Sequence, residues 1–209
     1  MRYDAEHKQR TRLRILRHAA AALRRQGPQD ISVGSVMQEA GLTHGGFYAH
    51  FPSKDALIEA SIAFMFDDSL ALWERAAHGK PVADGLASYI DAYLSASHLE
   101  AVDNGCPLAA LATEAPRMSA MGRQAFTAGI NALTALLQEA LDQLDAPPPT
   151  ALATSVLAEL VGALTLARIQ TDVAQATRIL ETCRLGLKRR LGLGAAFETR
   201  APRSKRQTP

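Results

Sequence analysis

The chain has few of the residues from which catalytic and metal sites are built. Its 209 residues include two cysteines, Cys106 and Cys183, too few for a disulfide framework or a zinc cluster. His7, His18, His44, His50, His78 and His98 are scattered, and no His-x-x-x-His or Cys-x-x-Cys pair occurs. No nucleophile–base set stands out, and His44-Gly45-Gly46 is too short for a phosphate loop. These absences speak against an enzyme; no catalytic residue, metal or cofactor is expected. Aromatic residues make up only 5%, so the core must come from Ala, Leu, Ile and Val, which suits packed helices better than sheets. The longest run free of Asp, Glu, Lys and Arg is Gln124 to Gln138, 15 residues, short of the roughly 20 that a membrane span needs. No apolar run with a cleavage site opens the chain, so no secretory signal is expected. The expectation is an all-α, soluble, cytoplasmic protein with no membrane partner.

Charge is present but unevenly placed. The formal net charge is +2, yet Met1 to Gln26 carries eight Lys/Arg against Asp4 and Glu6. Lys54 to Cys183 holds 7 basic and 16 acidic residues, and Arg184 to Pro209 holds 8 basic residues against Glu198. A basic end and an acidic body are the pattern of a chain whose end meets a polyanion. A solvated, Arg-rich helix face gives the same count.

Helical periodicity organises the rest. Leu13, Leu16, Ala20 and Leu23 form one stripe of a helix from about Lys8 to Gln26, stopped by Gly27-Pro28. Ser32 caps a short helix, Val33 to Ala40; Gly41 breaks it and Leu42 plugs the turn. Thr43 caps a second, His44 to about His50, and Ser53 caps a long helix from Lys54 to roughly Ala77. Two short capped helices joined by a glycine turn are the pattern of a helix-turn-helix. Further helices are expected at Val82 to Leu99, Ser119 to Leu144, Thr150 to Gln170 and Asp172 to Leu191. Pro147-Pro148-Pro149 is the clearest linker. The division expected is a DNA-binding unit at 1–53, a helical ligand-binding and dimerisation unit at 54–191, and a disordered basic tail at 192–209.

The stretch Ala40-Gly41-Leu42-Thr43, Gly45-x-Phe47-Tyr48-x-His50-Phe51 and Ser53-Lys54-Asp55-x-Leu57 resembles the DNA-binding motif of the TetR (tetracycline repressor) family. The close match covers about Thr11 to Leu57. The resemblance implies a homodimeric repressor that grips a palindromic double-stranded DNA operator and is released by a small-molecule inducer. It places Thr43, His44, Gly45 and Gly46 at the bases and Tyr48, His50 and Lys54 at phosphates, with Ser32 alongside. Physical chemistry supports these roles. Gly45 and Gly46 cost helix propensity but let the backbone approach DNA, and Lys54 adds charge to a helix N-terminus that already attracts anions. Phe47 and Phe51 read as the anchor of the recognition helix. Gly46 offers no side chain to a base, so readout falls to His44, Thr43 and DNA shape. Arg10, Arg14 and Arg17 reach flanking phosphates or simply solvate their helix.

The remaining chain reads as the partner domain. Ala158, Gly162 and Ala163 permit close approach on one helix. Val173, Ala176, Leu180, Cys183, Leu187 and Leu191 stripe the next; together the two helices suit a dimeric four-helix interface, with core burial taking part of it. By analogy a ligand pocket is lined from the middle helices, with Trp73, Tyr89, Tyr93, Cys106, Met121 and Phe126 as candidates beside Phe64, His98 and Met118. Cys106 stands at an expected helix N-terminus, where the dipole makes a thiol reactive. Gly105-Cys106-Pro107-Leu108 also resembles a segment in a TetR subgroup that includes regulators responding to electrophiles and oxidants. A Cys106-based redox or electrophile sensor is the alternative to a reversible inducer, and a buried structural thiol is the plainer reading. A protein-binding helical scaffold is the other non-enzymatic class.

Overall fold

Apolar residues three and four apart make helices along this chain, and hydroxyl or carboxylate caps set where most of them start. The computed structural model describes residues 2–144 and 152–193, and every regular element among them is helical. In order they are α1 (Arg2–Asp30), α2 (Val33–Glu39), a 3-10 helix (His44–Ala49), α3 (Lys54–Ala77), α4 (Val82–Tyr93), α5 (Ala96–Glu100), a 3-10 turn (Val102–Asn104), α6 (Pro107–Leu111), a 3-10 turn (Ala115–Arg117), α7 (Ala120–Asp142), α8 (Leu152–Ile169) and α9 (Val173–Arg190). The linker Pro147-Pro148-Pro149, the Thr150 cap and residues 194–209 of the basic tail lie outside the described residues.

α3 is the shared spine. Leu57, Ser61 and Met65 form one buried row and Ile58, Ile62 and Phe66 another, each four residues apart and so on one side of the helix. The helix packs against α1, α4 and α7, while α8 packs against α7 and α9. At 24 residues, α3 is about 36 Å long.

Three sequence expectations need adjusting. The α1 helix starts earlier than Lys8, and its backbone breaks at Gly27 (φ 77°, ψ 172°), a conformation glycine tolerates, before one more turn through Pro28. Its buried face is Ile15, Leu16, Ala19, Ala20, Ala22 and Leu23, while Leu13 is 38% exposed. The face is wider than a single stripe because α2 and α3 both pack on it. The helix expected at Val82 to Leu99 is two: α4 stops at Tyr93, and Ser95 Oγ accepts the His98 N–H at 3.1 Å to start α5. A serine after an apolar run offers the backbone an exit that periodicity alone does not show.

The third concerns α9. Ala176, Leu180, Leu187 and Leu191 of its expected interface stripe are buried within the chain, while Val173 is 77% exposed. Lys188 Nζ to Asp91 (2.5 Å) ties α9 to α4, and Arg190 to Glu159 (2.6 Å) ties it to α8. α8 has mean hydropathy 1.6 and is, by length and composition, the one helix among the described residues long and apolar enough to cross a membrane. Its buried side, Ala153, Val156, Leu160, Leu164 and Ala167, faces the rest of the chain, and its two charges, Glu159 and Arg168, are both engaged.

One interlock fixes α3 against α7. The Phe66 ring occupies the space where a Cβ on Gly129 would stand, and it meets Phe126 edge-on at 5.5 Å. Gly129→Ala must push that ring out of a packed site, at a cost of about 1–3 kcal/mol. Thermal unfolding followed by circular dichroism should show a lower midpoint, with Phe66→Leu in the Gly129→Ala background recovering part of it. An unchanged midpoint would contradict the interlock.

Candidate nucleic-acid interface and ligand cavity

A six-residue helix containing Gly45 and Gly46 has little propensity of its own, and here it is wound as a 3-10 helix. Its shape comes from below. Phe47 and Phe51 are each 1% exposed and stack at 5.8 Å between centroids. The Arg12 guanidinium lies 4.1 Å over the Phe51 ring, and its Nη1 donates to the His50 carbonyl at 2.6 Å. One α1 arginine thus holds the end of the short helix by both a cation–π contact and a hydrogen bond. Before it, α2 is capped by Ser32 Oγ, which accepts from Ser35 N–H at 3.4 Å, and the turn passes through Gly41 at φ +66°. After it, Ser53 Oγ accepts from Ala56 N–H at 3.1 Å to start α3.

The upper face is free. Thr43, His44 and Gly45 are exposed, nothing lies within 4 Å of a Cβ placed on Gly45, and Tyr48 is 69% exposed. Thr43 has extended cap geometry but makes no side-chain cap bond, contrary to the cap expected of it, so its hydroxyl stays available. Gly46 is half-buried over Met37. Lys54 Nζ donates to the Gln29 carbonyl at 3.1 Å, which fixes that charge beside the end of α1. His50 is half-buried; desolvation first, then the charges of Lys8, Arg12 and His7, hold its pKa below the usual histidine value. Arg10 and Arg14 are exposed on α1.

A cavity of about 410 Å³ opens between α3, α4 and α5, with Leu72, Tyr89, Tyr93, Ser95, His98 and Cys106 in its wall. Burial drives the Tyr89 and Tyr93 hydroxyls upward in pKa. His98 is pinned at both ring nitrogens. Nδ1 lies 2.7 Å from the Tyr93 carbonyl oxygen, which only accepts, so it carries the proton; Nε2 accepts the Cys106 N–H at 3.0 Å. Arg168 Nη2 donates to the His98 carbonyl at 2.9 Å. A second crevice of about 330 Å³ shares Asp68 and Arg75 with the first cavity and has Arg24 in its wall. A larger groove of about 680 Å³ runs between α1, α3 and α7 past Phe51, Ala60 and Phe66. Among the described residues, the buried polar atoms without partners belong to Arg24, His50, Ser61 and Tyr93, none of which lines that larger groove.

A family model for bacterial regulatory proteins of the tetR family matches residues 15–61, and one for the C-terminal domain of LmrA/YxaF-like transcriptional regulators matches 82–181. The chain belongs to the TetR family. An uncharacterised helix-turn-helix transcriptional regulator of Bacillus subtilis, YfiR, is 28% identical over 86 residues; the match spans 41% of this chain and 42% of that relative. The reduced form of Escherichia coli NemR shares the fold at 21% identity, with TM-score 0.75 over 89% of this chain and 99% of that one. A TetR regulator of Chloroflexus aurantiacus does so at 22% identity and TM-score 0.73, over 90% and 96%.

In this TetR-family chain, of the eight residues expected at DNA, Thr43, His44, Gly45 and Tyr48 are exposed on or just before the short helix, Gly46 and His50 are half-buried there, Ser32 caps α2 and Lys54 opens α3. The six expected ligand positions scatter. Tyr89, Tyr93 and Cys106 wall the cavity, and Trp73 backs Tyr89 at 5.5 Å. Phe126 is spent on Phe66, and Met121 is 43% exposed on α7. Cys106 is 3% exposed, ahead of an α6 of only five residues. Arg24, which the α1 periodicity places on the polar face, is 7% exposed at the joint between α1 and the body. Asp68, Arg75 and Arg24 were legible only as ordinary helix-surface charges.

His98 supplies a pH test. Burial first, then the charges of Arg168 and Arg24, lower its pKa, against the bond to the Tyr93 carbonyl, which raises it. The folded protein therefore keeps His98 neutral where the unfolded chain, titrating near 6.5, already binds a proton. Its contribution is intact above that pH and is lost as pH falls through the folded pKa. The thermal midpoint should drop between pH 7.5 and 5.5, and by less in His98→Gln. Equal drops in both proteins would contradict this assignment.

Proposed function

We propose that this chain is a homodimeric, sequence-specific DNA-binding repressor of the cytoplasm, released from a palindromic operator by a small molecule. The observation that carries the reading is the free first turn of the short helix. Thr43, His44 and Gly45 face solvent while Phe47 and Phe51 are buried on the other side, with Arg12 of α1 lying over the Phe51 ring. A helix offered to a major groove needs this combination, an open N-terminal turn on a fixed base. Tyr48, His50 and Lys54, with Ser32 nearby, supply phosphate contacts that set its register. Exposed Arg10 and Arg14 extend the positive face.

Pairing rests on α8 and α9. Leu166 is 56% exposed, Ile169 68%, Val173 77% and Leu185 56%, a concentration of bare apolar side chains on the last two helices. Ala158 is exposed and a Cβ on Gly162 would meet nothing within 4 Å, so a second copy has room to approach. The buried part of the α9 stripe serves the chain's own core, and the dimer face is the side turned away from it.

The reversible inducer would occupy the cavity beside Tyr89 and Tyr93. Cys106 as an electrophile sensor is the second reading, favoured by the thiol's place in that same wall. It would also put the chain in the subgroup that its Gly105-Cys106-Pro107-Leu108 segment resembles. A Cys106→Ser protein that no longer releases DNA with iodoacetamide, yet still binds it, separates the two.

Gel-shift titration against fragments upstream of its own gene should give a salt-sensitive, sequence-selective complex. His44→Ala should weaken it by about 1–3 kcal/mol and relax base preference. Lys54→Gln should weaken all sites alike and lower the salt slope by about 1 for each phosphate that is no longer neutralised. No selective complex at any fragment would count against the repressor. Leu166→Glu with Ile169→Glu should yield a folded monomer by analytical ultracentrifugation, with operator affinity abolished; a persisting dimer would move the interface elsewhere.

A further inference from the structure

Arg24 is the buried charge for which the fold provides too few partners. It is 7% exposed, and only Nη1 is used, donating to the Asp103 carbonyl at 2.9 Å. Nε and Nη2 are buried with no hydrogen-bond partner. A guanidinium left this way carries the full desolvation cost of its unused donors. Burial accordingly pulls its pKa downward, with Asp68 the first opposing charge. Tyr93, 2% exposed, has the same deficiency: its hydroxyl interacts with the Cys106 thiol, a weak acceptor, and makes no hydrogen bond of ordinary geometry. The two unused atoms of Arg24 are donors, and the Tyr93 hydroxyl can donate or accept.

The two residues look onto adjoining spaces. Arg24 forms part of the 330 Å³ crevice with Phe64, and Tyr93 part of the 410 Å³ cavity, the two meeting at Asp68 and Arg75. Arg17 and Arg75 stand exposed at the crevice rim. Against these three arginines the lining offers one carboxylate, Asp68, also at the rim, where partial desolvation raises its pKa. The first cavity is apolar at Leu72 and Tyr89, and the crevice beside it sets Phe64 against the donors of Arg24.

We propose that the inducer is a small organic acid whose carboxylate is bound by Arg24 and whose aromatic or apolar body lies against Tyr89 and Tyr93. The proposal deepens the reading of the chain as a ligand-released repressor and names the ligand class of that cavity. Arg24 stands on α1, the helix that also carries Arg12 beneath the DNA-facing turn. An acid held by Arg24 would therefore act on the reading head directly, as well as through α3. Nε and Nη2 are buried in this structure, so a shift of the Arg24 side chain would bring them to the carboxylate, which then accepts from both as a bidentate pair, the geometry guanidinium groups favour. Asp68 opposes it by like charge, which keeps affinity below what Arg24 alone would give.

Isothermal titration of the full-length protein at pH 7.5 tests this without DNA, using benzoate, phenylacetate and 3-phenylpropionate against their primary amides. At least one acid should bind, and its amide should bind at least about tenfold more weakly. Arg24→Gln should remove that preference for the acid, and Asp68→Asn should strengthen acid binding. Tyr93→Phe keeps the ring and should leave the preference for the acid unchanged. Should Arg24→Gln unfold, as circular dichroism would show, Asp68→Asn carries the test, and acid binding no stronger there would overturn the proposal. Amides binding as tightly as acids, no acid binding at millimolar concentration, or undiminished acid binding in folded Arg24→Gln would each overturn the proposal. Acid binding with no operator complex at any fragment would leave the site standing and overturn the repressor.

Discussion

Two phenylalanines carry a helix that cannot carry itself. The segment His44–Ala49 spends two of its six positions on glycine and makes no side-chain cap bond at Thr43. Isolated, so short a helix would not persist. Burying Phe47 and Phe51 fixes it from below, and Arg12 of α1 holds the carbonyl of its C-cap, His50. The same arrangement leaves the opposite surface bare, so one packing decision yields both order and access. Glycine at 45 becomes tolerable because stability is supplied by side chains two and six residues later.

A joint on the other side of α1 connects this head to the body. Arg24 donates to the Asp103 carbonyl, and Arg25 pairs with the Asp103 carboxylate at 2.7 Å and with Glu39 at 3.6 Å. Arg25 therefore touches both α2 and the turn that precedes Cys106. The ion pairs are solvent-accessible and each adds little stability. Their geometry matters more than their energy, because they connect the turn after α5 to the helix that supports the reading surface. Beyond that turn, Arg168 and His98 brace the α5 backbone, so the cavity wall and the joint share one short stretch of chain.

Much of this was legible in the sequence because it is local. Ser32, Ser53, Ser119 and Asp172 cap the helices that their positions announce, and the aromatic spacing of Phe47, Tyr48 and Phe51 separates one exposed ring from two buried ones. What eluded the sequence depends on neighbours distant in the chain. Arg24 sits at a helix register that looks polar, and only the arrival of the Val102–Asn104 turn buries it. The α9 stripe has the same periodicity whether it faces another copy or α4 and α8; packing decides. Met121 and Phe126 are five residues apart on α7, and no pattern tells that one is bare and the other locked against Phe66. The split of α4 from α5 rests on a single serine within an otherwise helical run.

The length of α3 has a mechanical meaning. Lys54, beside the reading surface, and Arg75, at the crevice rim, are 21 positions apart on one uninterrupted helix, a rod of about 32 Å. A tilt of ~5° about its Arg75 end would swing the other end by ~3 Å. Two such rods in a symmetric pair would move their tips in opposite senses, and successive major grooves lie about 34 Å apart. A displacement too small to disturb packing around Arg75 would become, at the tips of such a pair, a mismatch with the pitch of DNA. The spine that packs against α1, α4 and α7 would by the same token be an amplifier, its gain set by how many residues separate its two working ends.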